Sequence, residues 1–108
     1  MGWRRREYDG SAGAAIGSGT TIHTATSDAT LCDNVTLFAY NSDTVPRTLT
    51  LGWGGTTSPD DLMVFNLGTA AGLVLVAADM VIRNSLVIKA AGDAANVIVL
   101  WGYVNRAA

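Results

Sequence analysis

Charge is scarce in this chain. Only 15% of its 108 residues are Asp, Glu, Lys or Arg, against 49% hydrophobic, where soluble domains carry about 25% charged residues. So few charged side chains leave apolar surface for other copies or other proteins to cover, so an assembly component is the first expectation. Cysteine is nearly absent too. Cys32 stands alone, which excludes an intrachain disulfide, fits a reducing compartment and makes it a small core residue. His23 is the one histidine. With no second His or Cys at metal-ligand spacing, it reads as a hydrogen-bonded strand residue rather than a ligand or base. No apolar run approaches the roughly 20 residues of a membrane-spanning helix; the longest covers residues 73–78. No secretory segment is visible, because Arg4, Arg5 and Arg6 are followed by polar, Gly and Ala residues. The expectation is a soluble chain without membrane contact.

Net charge is −2, which argues against a nucleic-acid binder driven by phosphate neutralisation. The charge is unevenly spread: Arg4, Arg5 and Arg6 lie together, and most acids follow from Asp28 onward. Residues 1–19 therefore divide into a basic-aromatic head (Trp3, Arg4, Arg5, Arg6, Glu7, Tyr8) and a Gly/Ala/Ser spacer without periodicity. Two readings stand side by side. One is a disordered terminus; the other is an extended, flexible arm that orders on a neighbour, with Trp3 and Tyr8 as anchors and the arginines meeting carboxylates.

From residue 20 onward the pattern is that of strands. Residues 20–26 are threonine-rich around Ile22 and His23. In 34–41, Val35, Leu37 and Ala39 alternate with Thr36, Phe38 and Tyr40. Arg47–Trp53 sets Leu49, Leu51 and Trp53 inward against Thr48 and Thr50. Leu62–Leu67, 72–78 and 84–91 follow, with turns at Gly54-Gly55, Asp79 and Gly92-Asp93. The richest stretch is 94–106, where Val97, Val99, Trp101 and Tyr103 interleave with Ile98, Leu100, Gly102 and Val104. Both sets are apolar, which suits a strand covered on its two faces, by the core and by a sheet or partner. Short strands with Gly/Asp/Asn/Pro punctuation and no helical period define a single all-β antiparallel sandwich of seven or eight strands over residues 20–108.

Chemistry-bearing motifs are missing. Gly54-Gly55 lacks the Gly-Lys-Ser/Thr ending of a phosphate loop, and Asp60-Asp61 lacks the spaced ligand series of a calcium site. No nucleophile stands in a motif with a base, so no enzyme, metal or cofactor is expected. Trp53, Val99, Trp101 and Tyr103 are the candidates for core or oligomer seam, since large aromatics fill small cores and subunit interfaces alike. Trp53 near Asp60, Asp61 and Asn105 is a weaker candidate for a sugar-stacking platform.

Residues 49–57 (Leu-Thr-Leu-Gly-Trp-Gly-Gly-Thr-Thr) and 95–106 (Ala-Asn-Val-Ile-Val-Leu-Trp-Gly-Tyr-Val-Asn-Arg) carry a family likeness, with Tyr40-Asn41 and Arg47-Thr48-Leu49-Thr50 adding to it. Across residues 20–106 the chain resembles small virion structural proteins of tailed bacteriophages. The resemblance implies a jelly-roll-like module present in many copies, trimeric, and serving as capsid decoration (cement), head fibre or tail part. It implies the major capsid protein as partner and the virion, assembled in the host cytoplasm, as location. On that reading Trp3, Arg4, Arg5, Arg6 and Tyr8 bind the outer capsid surface and bridge capsomers. The alternative is a receptor- or carbohydrate-binding module of a tail or head fibre.

Overall fold

The computed structural model describes residues 2–9, 20–70, 72–94 and 97–107, with backbone alone for 2–9 and for Ala107. The spacer 10–19 and the side chains of Trp3, Arg4, Arg5, Arg6 and Tyr8 lie outside the described residues. Eight strands and no helix are present among them: β1 Gly2–Asp9, β2 Thr20–Thr24, β3 Cys32–Asn41, β4 Arg47–Trp53, β5 Leu62–Leu67, β6 Val74–Ile82, β7 Val87–Gly92 and β8 Ile98–Ala107. They form two antiparallel four-stranded sheets, ordered β1-β8-β3-β6 and β2-β7-β4-β5. The expected all-β, sandwich-like architecture is what the chain adopts.

The pairing is nested. β4 pairs β5, β3 pairs β6, β2 pairs β7 and β1 pairs β8. The chain thus runs as one long hairpin whose successive rungs alternate between the sheets. Rolling that hairpin adds two pairs, β3 to β8 and β4 to β7. Period-two alternation explains the core directly. Val35, Leu37 and Ala39 of β3, Leu49 and Leu51 of β4, Ile88 and Ala90 of β7, and Ile98, Leu100 and Val104 of β8 all point between the sheets and are buried. Each fully buried Leu, Ile or Val contributes about 1.5–3 kcal/mol relative to exposure. Gly102 continues the inward row of β8. A Cβ there would run into the Thr36 carbonyl oxygen and the Leu37 side chain of β3, so only glycine allows the two strands to close up.

Most strand bounds differ by a few residues from the sequence expectation, and at two places the cause is visible. Asp79 does not end a strand; β6 continues to Ile82. Asp79 takes a left-handed backbone (φ 51°), the register slips beside it, and its amide donates to the Thr36 hydroxyl at 3.0 Å. It is a bulge, a form that Asp tolerates better than most residues. Asn84 and Ser85, expected within a strand, both have positive φ (62° and 59°). They make a turn closed by the Leu86 amide on the Arg83 carbonyl, and β7 starts only at Val87.

Candidate functional site

β8 is a central strand with two apolar rows that meet different surroundings. The even row, Ile98, Leu100, Gly102 and Val104, is buried between the sheets. The odd row lies on the outer face of the first sheet, half-buried at Val99 and Trp101 and exposed at Tyr103. Register sets Tyr40 opposite Val99, Phe38 opposite Trp101 and Thr36 opposite Tyr103. Leu75 of β6 stands on the far side of Phe38. Cross-strand pairs of this kind stabilise a sheet by about 0.2–1 kcal/mol each.

The same face collects exposed apolar side chains: Leu75 at 51%, Val81 at 54% and Tyr103 at 39%, with Leu73 at 58% just before β6. The outward positions of β3 and β8 (Asn34, Thr36, Phe38, Tyr40; Val99, Trp101, Tyr103, Asn105) carry no charge. Asp79 at the β6 bulge is exposed beside them. By contrast, the β2 edge of the second sheet presents threonines, with Thr21 and Thr24 exposed. β6 is also an edge strand, so its outer backbone groups have no sheet partner.

The sequence-predicted site residues are distributed over three places. Val99, Trp101 and Tyr103 come together on the outer face. Trp53 stands apart at the end of β4 in the second sheet, packed against the core, and its indole N–H donates to the Val81 carbonyl of β6 at 3.2 Å. It ties the two sheets together at the β6 edge. Trp3, Arg4, Arg5, Arg6 and Tyr8 belong to β1, whose backbone lies along β8 with Trp3 opposite Asn105, Arg4 opposite Val104, Arg5 opposite Tyr103, Arg6 opposite Gly102 and Tyr8 opposite Leu100.

A buried polar cluster escaped the sequence reading. Asp33 sits on the inward row of β3 with no exposed surface. Its Oδ1 accepts from Arg106 Nε at 2.6 Å. Its Oδ2 accepts from Arg106 Nη2 at 3.1 Å and from the Thr26 amide at 3.1 Å, and lies 2.7 Å from His23 Nε2. Burial pushes the Asp33 carboxyl up, but the hydrogen bonds from Arg106, His23 and Thr26 outweigh it and hold the group at about 2. The same pair raises Arg106, through its hydrogen bond to Asp33 against the opposing effect of burial. His23 comes from the second sheet while Asp33 and Arg106 come from the first, so the cluster is a staple across the sandwich. His23 Nδ1 is buried without a partner among the described residues, and both carboxylate oxygens are occupied, which suits fixing the fold rather than moving a proton.

At the other end of β3, Asn41 donates through Nδ2 to the carbonyls of Val45 and Leu67 at 2.9 and 3.1 Å. The signal for both staples was strand phase. Asp33 and Asn41 share the odd, inward row of β3, and a buried charge there demands a partner. Cys32 is half-buried with its Sγ 3.6 Å from Asn34 Oδ1. Among the described residues no group of three or more His, Cys, Asp or Glu stands together as a metal site. No family model, no curated protein and no solved structure matches this chain.

Proposed function

We propose that this chain is a jelly-roll capsid decoration protein of a tailed bacteriophage. It forms trimers through the outer face of its first sheet and binds the outer capsid surface, bridging capsomers. The nested strand order supports the jelly-roll reading, an architecture used by viral capsid and lectin domains. The observation that carries the proposal is the outward row of β3 and β8, which holds Phe38, Tyr40, Val99, Trp101 and Tyr103 without a charge and is flanked by Leu75. Its size is adequate. Four strands at ~4.8 Å spacing and a ten-residue strand at ~3.3 Å per residue give about 600 Å² in plan, near the ~800 Å² per partner of a standard interface. Trp3, Arg4, Arg5, Arg6 and Tyr8 supply the capsid contact. Three weak contacts on one trimer add up through effective concentration to a durable clamp.

A fibre module that binds a receptor or carbohydrate is the competing reading. Its candidate platform beside Trp53 is largely committed within the fold: Trp53 holds the Val81 carbonyl, and Asp61 Oδ2 accepts the Thr57 amide at 3.1 Å. The test is light scattering of the purified chain, followed by quantification of copies on particles. A trimer that covers the shell in many copies is the expected result. A monomer, or copies confined to the tail or to fibres, overturns it.

A further inference from the structure

We infer that β1 is an exchanged strand: in the assembly, residues 2–9 of each copy complete the first sheet of a neighbouring copy by lying on that copy's β8. The inference rests on the oligomer proposed above. Three observations lead to it. The first is topological. β1 is the edge of its sheet, and among the described residues β8 is its only neighbour. Every other strand is also held by its place in the continuous fold from Thr20 onward.

The second is the length of the link. Ten residues, 10–19, join β1 to β2 in the opposite sheet. Stacked sheets lie ~10 Å apart, while ten residues reach up to about 33–36 Å when extended. The link is thus longer than the crossing to the other sheet of the same copy requires. It is long enough for a neighbour docked on the adjacent outer face.

The third is what β1 offers. Its middle reads Arg-Arg-Arg-Glu, and its described hold on the sheet is the backbone ladder to β8. That ladder is identical on every copy. Pairing with its own β8 or with a neighbour's is therefore nearly equal in energy, and local concentration decides between them. Copies that meet through the odd row of β8 place the two β8 edges side by side and raise that concentration. Head-to-tail donation, with each copy giving and receiving one strand, closes a ring when the rotation between copies allows it, and in the assembly proposed above that ring has three members.

Disulfide trapping across the register tests this, in a Cys32→Ala background. Trp3 and Asn105 are register partners, as are Asp9 and Val99, so either pair can serve if one variant folds poorly. Chains carrying only Trp3→Cys are co-expressed with chains carrying only Asn105→Cys, then oxidised and separated without reductant. The expected result is a covalent mixed pair, and a W3C/N105C double variant that links into dimers and trimers. A double variant that closes on itself at monomer mass, or that forms no link, overturns the exchange. So does equal linking of W3C to Asp93→Cys, an exposed site outside the register. Light scattering of the Cys32→Ala parent separates the two ideas: an oligomer with self-closed links overturns only the exchange, whereas a monomer overturns the assembly as well.

Discussion

The two rows of β8 differ less in composition than in surroundings. Ile98, Leu100, Gly102 and Val104 are packed by the second sheet, and Arg106 closes the row on Asp33. Val99, Trp101 and Tyr103, only one residue out of phase, lie on the outer face beside their cross-strand neighbours, Val99 and Trp101 half-buried and Tyr103 exposed. An ordinary sandwich strand is polar on its outer row. A strand apolar on both rows, with the outer row only half-buried to exposed, is the feature on which the proposed assembly rests.

Breaking the inner row should have the largest effects. Asp33→Ala removes the acceptor for Arg106, His23 and the Thr26 amide and leaves buried donors unpaired. The expected loss is about 3–5 kcal/mol in urea denaturation. Leu100→Ala, at a fully buried site, should lose about 2–5 kcal/mol through transfer and cavity terms. Both variants should melt at lower temperature whatever the oligomeric state.

The same staple gives a pH signature. The Asp33 carboxyl is held at about 2, below the 3.8 of an ordinary aspartate. Its contribution is complete above the unfolded value, shrinks as pH falls below about 4 and is lost as pH passes through about 2. Melting temperature should therefore drop across that window in the natural chain, and more shallowly in Asp33→Asn. Equal slopes would show that the acid sensitivity has another source. The smallest stability change should come from the outer face. Leu75→Lys, at an exposed position, should change monomer stability by no more than about 0.5 kcal/mol, yet reduce the light-scattering mass from oligomer to monomer. An unchanged mass would remove this face from the assembly.

Much of this contrast was legible in the residues themselves. Strict alternation placed Leu49 and Leu51 inside and put Leu37 on one face with Val35 and Ala39, and Arg47–Trp53 and Leu62–Leu67 have the bounds that alternation gives them. Punctuation misled where it did not break the chain. Asp79 looks like a turn residue, but the Thr36 hydroxyl across the sheet takes up its amide and lets β6 run on. The staple was hidden for a different reason. Arg106 lies 73 positions from Asp33, and local pattern reports phase but not which distant partner neutralises a buried charge. Trp53 and Trp101 look equivalent, each near the end of an apolar run, yet the strand order sends them to different sheets.

The nested pairing also has a kinetic side. Of the four rungs of the long hairpin, only β4 and β5 are joined by a short connection, residues 54–61. Each rung outward closes a larger loop at greater entropic cost. Folding is therefore expected to begin at the β4–β5 hairpin and zip outward through β3–β6 and β2–β7. Such non-local pairing belongs to the millisecond-to-second regime of all-β domains. Substitutions in β4 and β5, such as Leu51→Ala, should mainly slow folding, and those in β8 should mainly speed unfolding. The strand richest in apolar residues would then be among the last to dock, and until it does both of its rows are open to water and to other chains.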